Sequence, residues 1–500
     1  MKYNFIETSN LKEEYLKRHP LDLQKYNEEY DFNIDEEAIN KFYEKLLEYK
    51  DKKFLIVGDY DCDGICSVTI IKNLFKELSI ENNYYIPSRI KEGYGLNKLI
   101  VDNAIKYEYE AIMLVDNGVS CKESIDYAYE NGIKVFIIDH HKFLEEPRCE
   151  AFLHQDLLSD EYKCCSAGEL CFLLSLRCYF DEYNLVLGAL TVLSDYIQIN
   201  SFNRFIISEM INCLNEIDFE PFNYLNESSF YSGESLKYNI IPKINSISRM
   251  ESSAFNSNHA VKFLLSLYPD MKEVSEYISS LNKDRKDESN KLFNRIISNK
   301  YDGNYILISS DKIHEGYCSS LATKLSNYYD KPVFIFNESD GICKGSCRCQ
   351  SFDIYYLLSS YNKYISFGGH EHAVGITLLK DNLDDFCKFL NNVILNLNQE
   401  STEDVYLLDE KSINEQLIND IDSIGPFGNG YEMPLIAIRN NNYPAALLKN
   451  KYTKFLVNDS LSAITFDEKY IGFSPEFIIG SVNRDSYHKN AFSIIIKALL

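Results

Sequence analysis

Three apolar runs near the start of the chain each end in acid: FLIVGDYDCDG (54–64), AIMLVDNG (111–118) and KVFIIDHH (134–141). Short apolar runs of this kind, bounded by lysine, glycine or acid, read as buried parallel strands. Between them lie helical patterns, GICSVTIIKNLFKEL (64–78) and CKESIDYAYENG (121–132). Strands alternating with helices constrain the chain to an α/β fold, a parallel sheet with helices on both faces. Ligands of such sheets bind beyond the carboxyl ends of the strands. All three acid groups stand at those ends.

The stretch DYDCDG sets Asp59, Asp61 and Asp63 two residues apart and follows them with Gly64. Three carboxylates this close repel one another unless cations or hydrogen bonds hold them. A solvated acidic loop is one reading. A calcium loop of the EF-hand kind is another, but it lacks the closing glutamate and follows a strand. Asp116 ends the second run, and Asp139, His140 and His141 end the third. A mixed set of carboxylates and imidazole suits Mn²⁺ better than zinc. Two such ions about 3.5–4 Å apart make a hydrolytic centre for a phosphodiester. Asp195 interrupts a further apolar run, NLVLGALTVLSDYIQI (184–199). A buried lone aspartate is costly unless paired or metal-bound, the alternative being an aspartate satisfied at a helix end.

With 500 residues, two to four domains are expected. The first α/β domain spans 1–257, and a long polar helical connection spans 258–298. A second, smaller α/β domain spans 299–400, where GNYILISSDKIHEG and DKPVFIFNES restart the strand–helix–strand pattern. NLNQESTEDVYLLDEKS reads as a surface linker, and 404–500 as short strands in a small β-barrel or sandwich. The net charge of −24 argues against a protein that coats nucleic acid. It leaves room for an enzyme with a local basic groove. The polar opening and the lack of any run near ~20 apolar residues predict no signal peptide and no membrane span. Fourteen cysteines without a CxxC pair predict a reduced, cytoplasmic protein. The densest group, Cys343, Cys347 and Cys349, would need a fourth ligand to hold zinc.

IVGDYDCDG, VDNG, IIDHHK and SFGGHEHAVG, in this order and spacing, resemble the DHH phosphoesterase superfamily. More narrowly they are similar to the RecJ-type single-strand-specific exonucleases. The resemblance extends through PSRIKEGYGLN (87–97), CSAGELCFLL (165–174), TVLSDYIQI (191–199), IPKINSISRM (241–250), KGSCRCQSFDI (344–354) and GPFGNG (425–430).

The resemblance implies a parallel-sheet DHH domain, a long connecting helix, a smaller α/β DHH-associated domain and a C-terminal OB-like β domain. It implies two Mn²⁺, with Mg²⁺ as the other candidate, held by Asp59, Asp61, Asp63, Asp116, His140 and Asp195. Asp61, Asp63, Asp139, His140 and His141 would serve catalysis, Asp139 and His141 by orienting or by touching substrate. Arg89, Asn245, Arg249, Ser346, Arg348, Gly368, Gly369 and His370 would surround a 5′-phosphate. Guanidinium groups suit bidentate phosphate contact, and paired glycines let backbone amides approach phosphate oxygens. Each arginine taken alone reads rather as a surface salt bridge.

The implied activity is metal-dependent 5′→3′ hydrolysis of single-stranded DNA to 5′-mononucleotides, in repair and recombination. A single-strand-binding protein or a helicase would be the partner. Two alternatives stand beside it: an oligoribonuclease or cyclic-dinucleotide phosphodiesterase, and an inactive nucleic-acid-binding scaffold. The chain departs from the family pattern in four places. Val57 stands where a histidine is common, Glu169 where an apolar residue is usual, Ser248 before Arg249 in place of glycine, and His372 where a polar amide is common.

Overall fold

The computed structural model describes the chain except residues 1, 24, 27–29, 144, 229, 395–401, 449–451, 466–474 and 486–490. The chain divides into two compact units. One comprises Asp31–Asp195 and Glu209–Gln399, the other Met1–Tyr30, Tyr196–Ser208 and Glu400–Leu500.

The first strand of the chain, β1 (Lys2–Glu7), belongs to the smaller unit. The larger unit opens with β2 (Phe54–Gly58), β3 (Asn82–Tyr85), β4 (Ala111–Val115), β5 (Lys134–Asp139) and β6 (Ala151–His154). They form an all-parallel sheet of order β3-β2-β4-β5-β6. Every residue of β2 and β4 is buried, as expected for central strands covered on both faces. Leu55, Val57, Leu114 and Ile137 pack against Ile100 and Ile125 of the helices Lys98–Lys106 and Lys122–Glu130. From β2 the chain goes to β3 on one side and then crosses to β4 on the other. The topological switch point therefore lies between β2 and β4, and a crevice opens at their carboxyl ends.

The single helix expected over 258–298 is two helices, Ser257–Leu264 and Met271–Ile296. Ser266 takes a left-handed φ of 53° in the break. Pro269, which has no N–H to give, stands just before Asp270, and Asp270 caps the second helix by accepting from Glu273 N at 2.9 Å.

The second sheet is β10-β11-β9-β8-β7, built from β7 (Ile306–Ser310), β8 (Val333–Ser339), β9 (Ile342–Arg348), β10 (Tyr364–His370) and β11 (Ala373–Leu379). The helix Glu315–Tyr329 connects β7 to β8, the parallel pair. Strand alternation sends Cys343, Gly345 and Cys347 to one face of β9 and Lys344, Ser346 and Arg348 to the other. Cys343, Cys347 and Cys349 are core residues, buried with Phe334, Phe336 and Val374. Among the described residues no cysteine joins a group with metal-ligand geometry.

The smaller unit joins β1 to β12 (Thr402–Leu407), β13 (Leu435–Arg439), β14 (Ala445–Leu448), β15 (Tyr452–Leu456), β16 (Leu461–Ile464), β17 (Phe477–Arg484) and β18 (Phe492–Leu499). The sheet order is β1-β12-β13-β17-β18-β16-β15-β14. The chain bends between β13 and β14, where Asn442 has a φ of 61°. Counted as two halves of one bent strand, β13 and β14 stand at the two ends of the run β13-β17-β18-β16-β15-β14, with β16 and β18 parallel. This is the strand order of an OB barrel.

Two expectations need correction here. Residues 1–30 do not belong with the first α/β domain, because β1 pairs in parallel with β12 from Lys2↔Thr402 to Glu7↔Leu407. The segment 396–412 is not a surface linker throughout, because β12 carries the buried Val405 and Tyr406 between β1 and β13. The part of that segment up to 401 lies outside the described residues.

Candidate metal centre and arginine cluster

β2 ends at Gly58, and the chain turns at once into the helix Cys62–Glu77. Asp61 is the N-cap, accepting from Asp63 N at 3.0 Å and Gly64 N at 3.4 Å. A Cβ on Gly64 would run into the Asp59 backbone, so the turn requires glycine. Asp63 reaches the start of another helix, Ala167–Ser175. It accepts from Gly168 N at 2.7 Å, Ala167 N at 3.0 Å and Ser67 Oγ at 3.3 Å. Asp59 differs from both, because its buried Oδ1 accepts no hydrogen bond.

Asp116 follows β4 with a left-handed φ of 60°, and its buried Oδ1 also accepts no hydrogen bond. His140 Nε2 lies 3.3 Å from Asp116 Oδ1, 3.3 Å from Asp195 Oδ2 and 3.8 Å from Asp63 Oδ2. Asp195 arrives from the C-cap of the helix Glu182–Ser194. Ligand atoms of Asp59, Asp61 and Asp116 lie within 4.8 Å of one another, as do those of Asp63, His140 and Asp195 and those of Asp116, His140 and His141. Asp116 belongs to two of these groups, so two neighbouring cation positions could share it. Burial raises the Asp59, Asp61, Asp63 and Asp116 carboxyls above the ordinary range, and neighbouring carboxylates push them further up. A crowded, buried set of oxygen ligands with one imidazole fits hard divalent cations.

Asp139 stands apart from the other acids. Its Oδ1 accepts from His140 N at 2.8 Å, His141 N at 3.1 Å and His141 Nδ1 at 2.8 Å, while Oδ2 accepts from Val119 N at 3.1 Å. Burial alone would raise this carboxyl, but the His141 hydrogen bond and charge hold it below its ordinary value. The same contact outweighs burial at His141 and raises the imidazole to about 9. Asp139 thus holds the histidine pair, and no oxygen of it belongs to a cation group.

Arg89, Arg249 and Arg348 converge with a fourth arginine, Arg285, of the helix Met271–Ile296. Burial first, then Arg89, Arg285 and Arg348, pushes Arg249 down to about 9. Burial, aided by Arg89, lowers Arg348 to about 10. Arg89 moves the other way: burial is outweighed by Tyr60, Glu315, Asp59 and Asp61. Arg89 thus feels both the carboxylates and the other arginines, and its guanidinium lies 5.0 Å from the Tyr60 ring centroid.

Across β9, β11 and β10 the register aligns Ser346 with Gly375 and Gly368, and Arg348 with Ala373 and His370. Two strand spacings put each outer pair roughly 10 Å apart. Gly369 has a φ of 137°, and a Cβ there would meet Ala373 O. The side chain of His370 lies outside what is described. Asn245 Oδ1 accepts from Cys62 N at 2.9 Å and so braces the aspartate loop.

Two participants escaped the reading of the sequence. Tyr94 OH donates to Asp116 O at 2.9 Å and lies 3.3 Å from His141 Nδ1. Arg285 lies on the helix face with Ile278, Asn282 and Ser289, all buried. A polar row at helical spacing on a buried face was the available signal. Of the departures from the family pattern, Val57 is packed into the apolar core beside Leu55 and Leu114. Glu169 is fully buried, and burial raises it to about 8 against the opposing contact with the Cys165 thiol.

Comparison with known proteins agrees with this architecture. Residues 53–191 match the DHH family N-terminal domain, and residues 302–396 match the DHHA1 domain. The single-stranded-DNA-specific exonuclease RecJ of Bacillus subtilis is 26% identical over 413 residues, covering 78% of this chain and 52% of the relative. That of Haemophilus influenzae is 25% identical over 446 residues, covering 80% of this chain and 76% of the relative. The chain thus spans about half the length of the Bacillus relative and three quarters of the Haemophilus one. The crystal structure of RecJ from Thermus thermophilus in complex with Mn²⁺ superposes with a TM-score of 0.81 at 18% identity, over 100% of this chain and 79% of that one. With both domains present in order, the chain carries a DHH domain followed by a DHHA1 domain and is similar along most of its length to the RecJ-type exonucleases.

Proposed function

We propose that the protein is a metal-dependent exonuclease that removes 5′-mononucleotides from single-stranded DNA, starting at a 5′-phosphate. The observation that carries this reading is the set of three cation groups linked through Asp116 and His140, beside the buried arginines. Asp59, Asp61, Asp63, Asp116, His140 and Asp195 would hold two Mn²⁺ or Mg²⁺. Such ions supply an activated water and charge neutralisation at a scissile phosphodiester.

The residues of the chain do the rest. Asp139 fixes the His140 backbone and the His141 ring. Asp63 is tied to a helix start, which fixes the direction of its carboxylate. Arg89, Arg249, Arg285 and Arg348 offer guanidinium donors to a terminal phosphate, with Ser346 and the Gly368–Gly369 backbone alongside. Arg89, which feels both clusters, suits a substrate whose terminal phosphate and scissile phosphate are neighbours. The OB strand order supports a strand-binding role for the smaller unit. We assign the activity to the cytoplasm, where the free cysteines stay reduced, and to repair or recombination with a single-strand-binding protein or helicase as partner. Among the described residues no helix is long and apolar enough to cross a membrane.

The test is a length series. A 50-nucleotide single strand, a trinucleotide and a cyclic dinucleotide are offered with Mn²⁺ to the wild-type protein and to Asp139→Ala plus His140→Ala. The reading predicts that the long strand is hydrolysed best and that the double variant, still folded, hydrolyses none. A preference for the trinucleotide or the cyclic dinucleotide would contradict it.

A further inference from the structure

A carboxylate sits inside the arginine cluster. Glu315 Oε1 lies 2.9 Å from Lys344 Nζ and 3.5 Å from Arg89 Nε. Lys344 Nζ also donates to Arg89 O at 2.9 Å, closing a three-membered link. Only 12% of the Glu315 side chain is exposed, so this is not a solvent-screened surface pair. Arg89 comes from the DHH domain, while Glu315 and Lys344 come from the second α/β domain of the same unit.

Glu315 is the first residue of the helix Glu315–Tyr329, and that helix's opening touches the other cluster members too. A Cβ on Gly316 would meet Arg249 O, so the helix start and the Arg249 backbone are in close approach. Ser319 Oγ accepts from Arg348 Nη2. One stretch of five residues thus meets all three arginines that the sequence had indicated.

Resting on the reading of the cluster as a terminal-phosphate site, we propose that Glu315 is its positioning residue. The carboxylate is ion-paired with Arg89 on its Nε side and with Lys344 at its ammonium, although neither Arg89 Nε nor Glu315 Oε1 makes a hydrogen bond. That leaves the Nη edge of Arg89 available for bidentate contact with a phosphate. It also supplies one negative charge to a crowded set of cations, which would otherwise repel one another before a phosphate arrived. Glu315 touches no reacting atom in this account. It acts through Arg89 and Lys344, and so sets how strongly a 5′-phosphate is preferred over a 5′-hydroxyl.

Binding in EDTA tests this without turnover. The probes are two pentathymidylates, identical except for a 5′-phosphate or a 5′-hydroxyl, titrated calorimetrically into the full-length protein. Wild type should bind the phosphorylated strand more tightly. In Glu315→Gln that preference should shrink about tenfold, equivalent to about 1.4 kcal/mol. Glu315→Asp, which keeps the charge on a shorter stem, should recover part of it. Melting temperatures are read alongside. A variant that loses affinity for both strands equally, with a lowered melting temperature, would show a merely structural role and overturn the inference. So would a preference that is unchanged or increased. If wild type itself shows no preference for the phosphate, the phosphate-site reading and the inference fall together. If wild type shows it and Glu315→Gln keeps it, only the inference falls.

Discussion

Asp139 Oδ1 receives the His141 Nδ1–H at 2.8 Å, and the same oxygen takes the backbone N–H groups of His140 and His141. One buried carboxylate oxygen therefore fixes both histidines that follow β5. Its own charge is kept by those donors in spite of burial. The aspartate in this motif works as a brace, and the imidazoles face the other acids. Asp139→Asn should then lower Mn²⁺ affinity or hydrolysis by about 10- to 100-fold, the usual cost of losing a partner behind a metal ligand. His140→Ala, which removes a ligand candidate, should cost more. Calorimetric Mn²⁺ titration of both variants checks the order.

The acids of the centre are destabilising until a cation arrives. Asp59 and Asp116 each bury an oxygen with no hydrogen bond, among other carboxylates. Mn²⁺ should raise the melting temperature of the metal-free protein, by about 2.7 kcal/mol of added stability at a hundredfold excess over Kd. Asp59→Asn plus Asp116→Asn should melt higher than wild type in EDTA and gain nothing from Mn²⁺. Thermal scans with EDTA and with Mn²⁺ test both parts.

Much of this could be read in the sequence. β2, β4 and β5 announce themselves because fully buried parallel strands are unbroken apolar runs, and the acids that follow mark the crevice. β12 did not, because TEDVYL begins with three polar residues at the edge of a linker-like stretch. β1 did not either, since its partner lies 400 positions away at Thr402 and no local signal records such a pairing. The sequence offered Cys343, Cys347 and Cys349 only as a zinc candidate short of a ligand; strand alternation in β9 turns Cys343 and Cys347 into the core and leaves Lys344, Ser346 and Arg348 on the other face. Arg285 was hidden by a charged helix in which only the spacing of buried positions singles it out. Asn245, grouped by sequence with the phosphate residues, also braces the aspartate loop, its Oδ1 accepting from Cys62 N.

Glu169 gives a pH signature separate from the metal ligands. Burial raises its folded value to about 8 from an ordinary 4.5. Between those values the folded chain keeps a proton that the unfolded chain releases. Stability therefore falls as pH rises from about 4.5 to about 8, by up to about 1.4 kcal/mol per pH unit, and then levels off. Glu169→Gln should remove this part of the slope and be the more stable protein at pH 8. Denaturant unfolding of both proteins in EDTA at pH 5.5 and pH 8 measures the difference. Parallel losses would contradict the assignment.

In the proposed reaction the acid centre and the arginine cluster together degrade a single strand from its phosphorylated 5′ end. The most direct measurement is a gel of a long single-stranded DNA with a 5′-phosphate and a 3′ label, incubated with the protein and Mn²⁺ or EDTA, beside the same strand as a duplex. The account predicts progressive shortening of the single strand with Mn²⁺ only, with the duplex left intact. A strand that is bound but never shortened, or one cut internally or from its 3′ end, would contradict it.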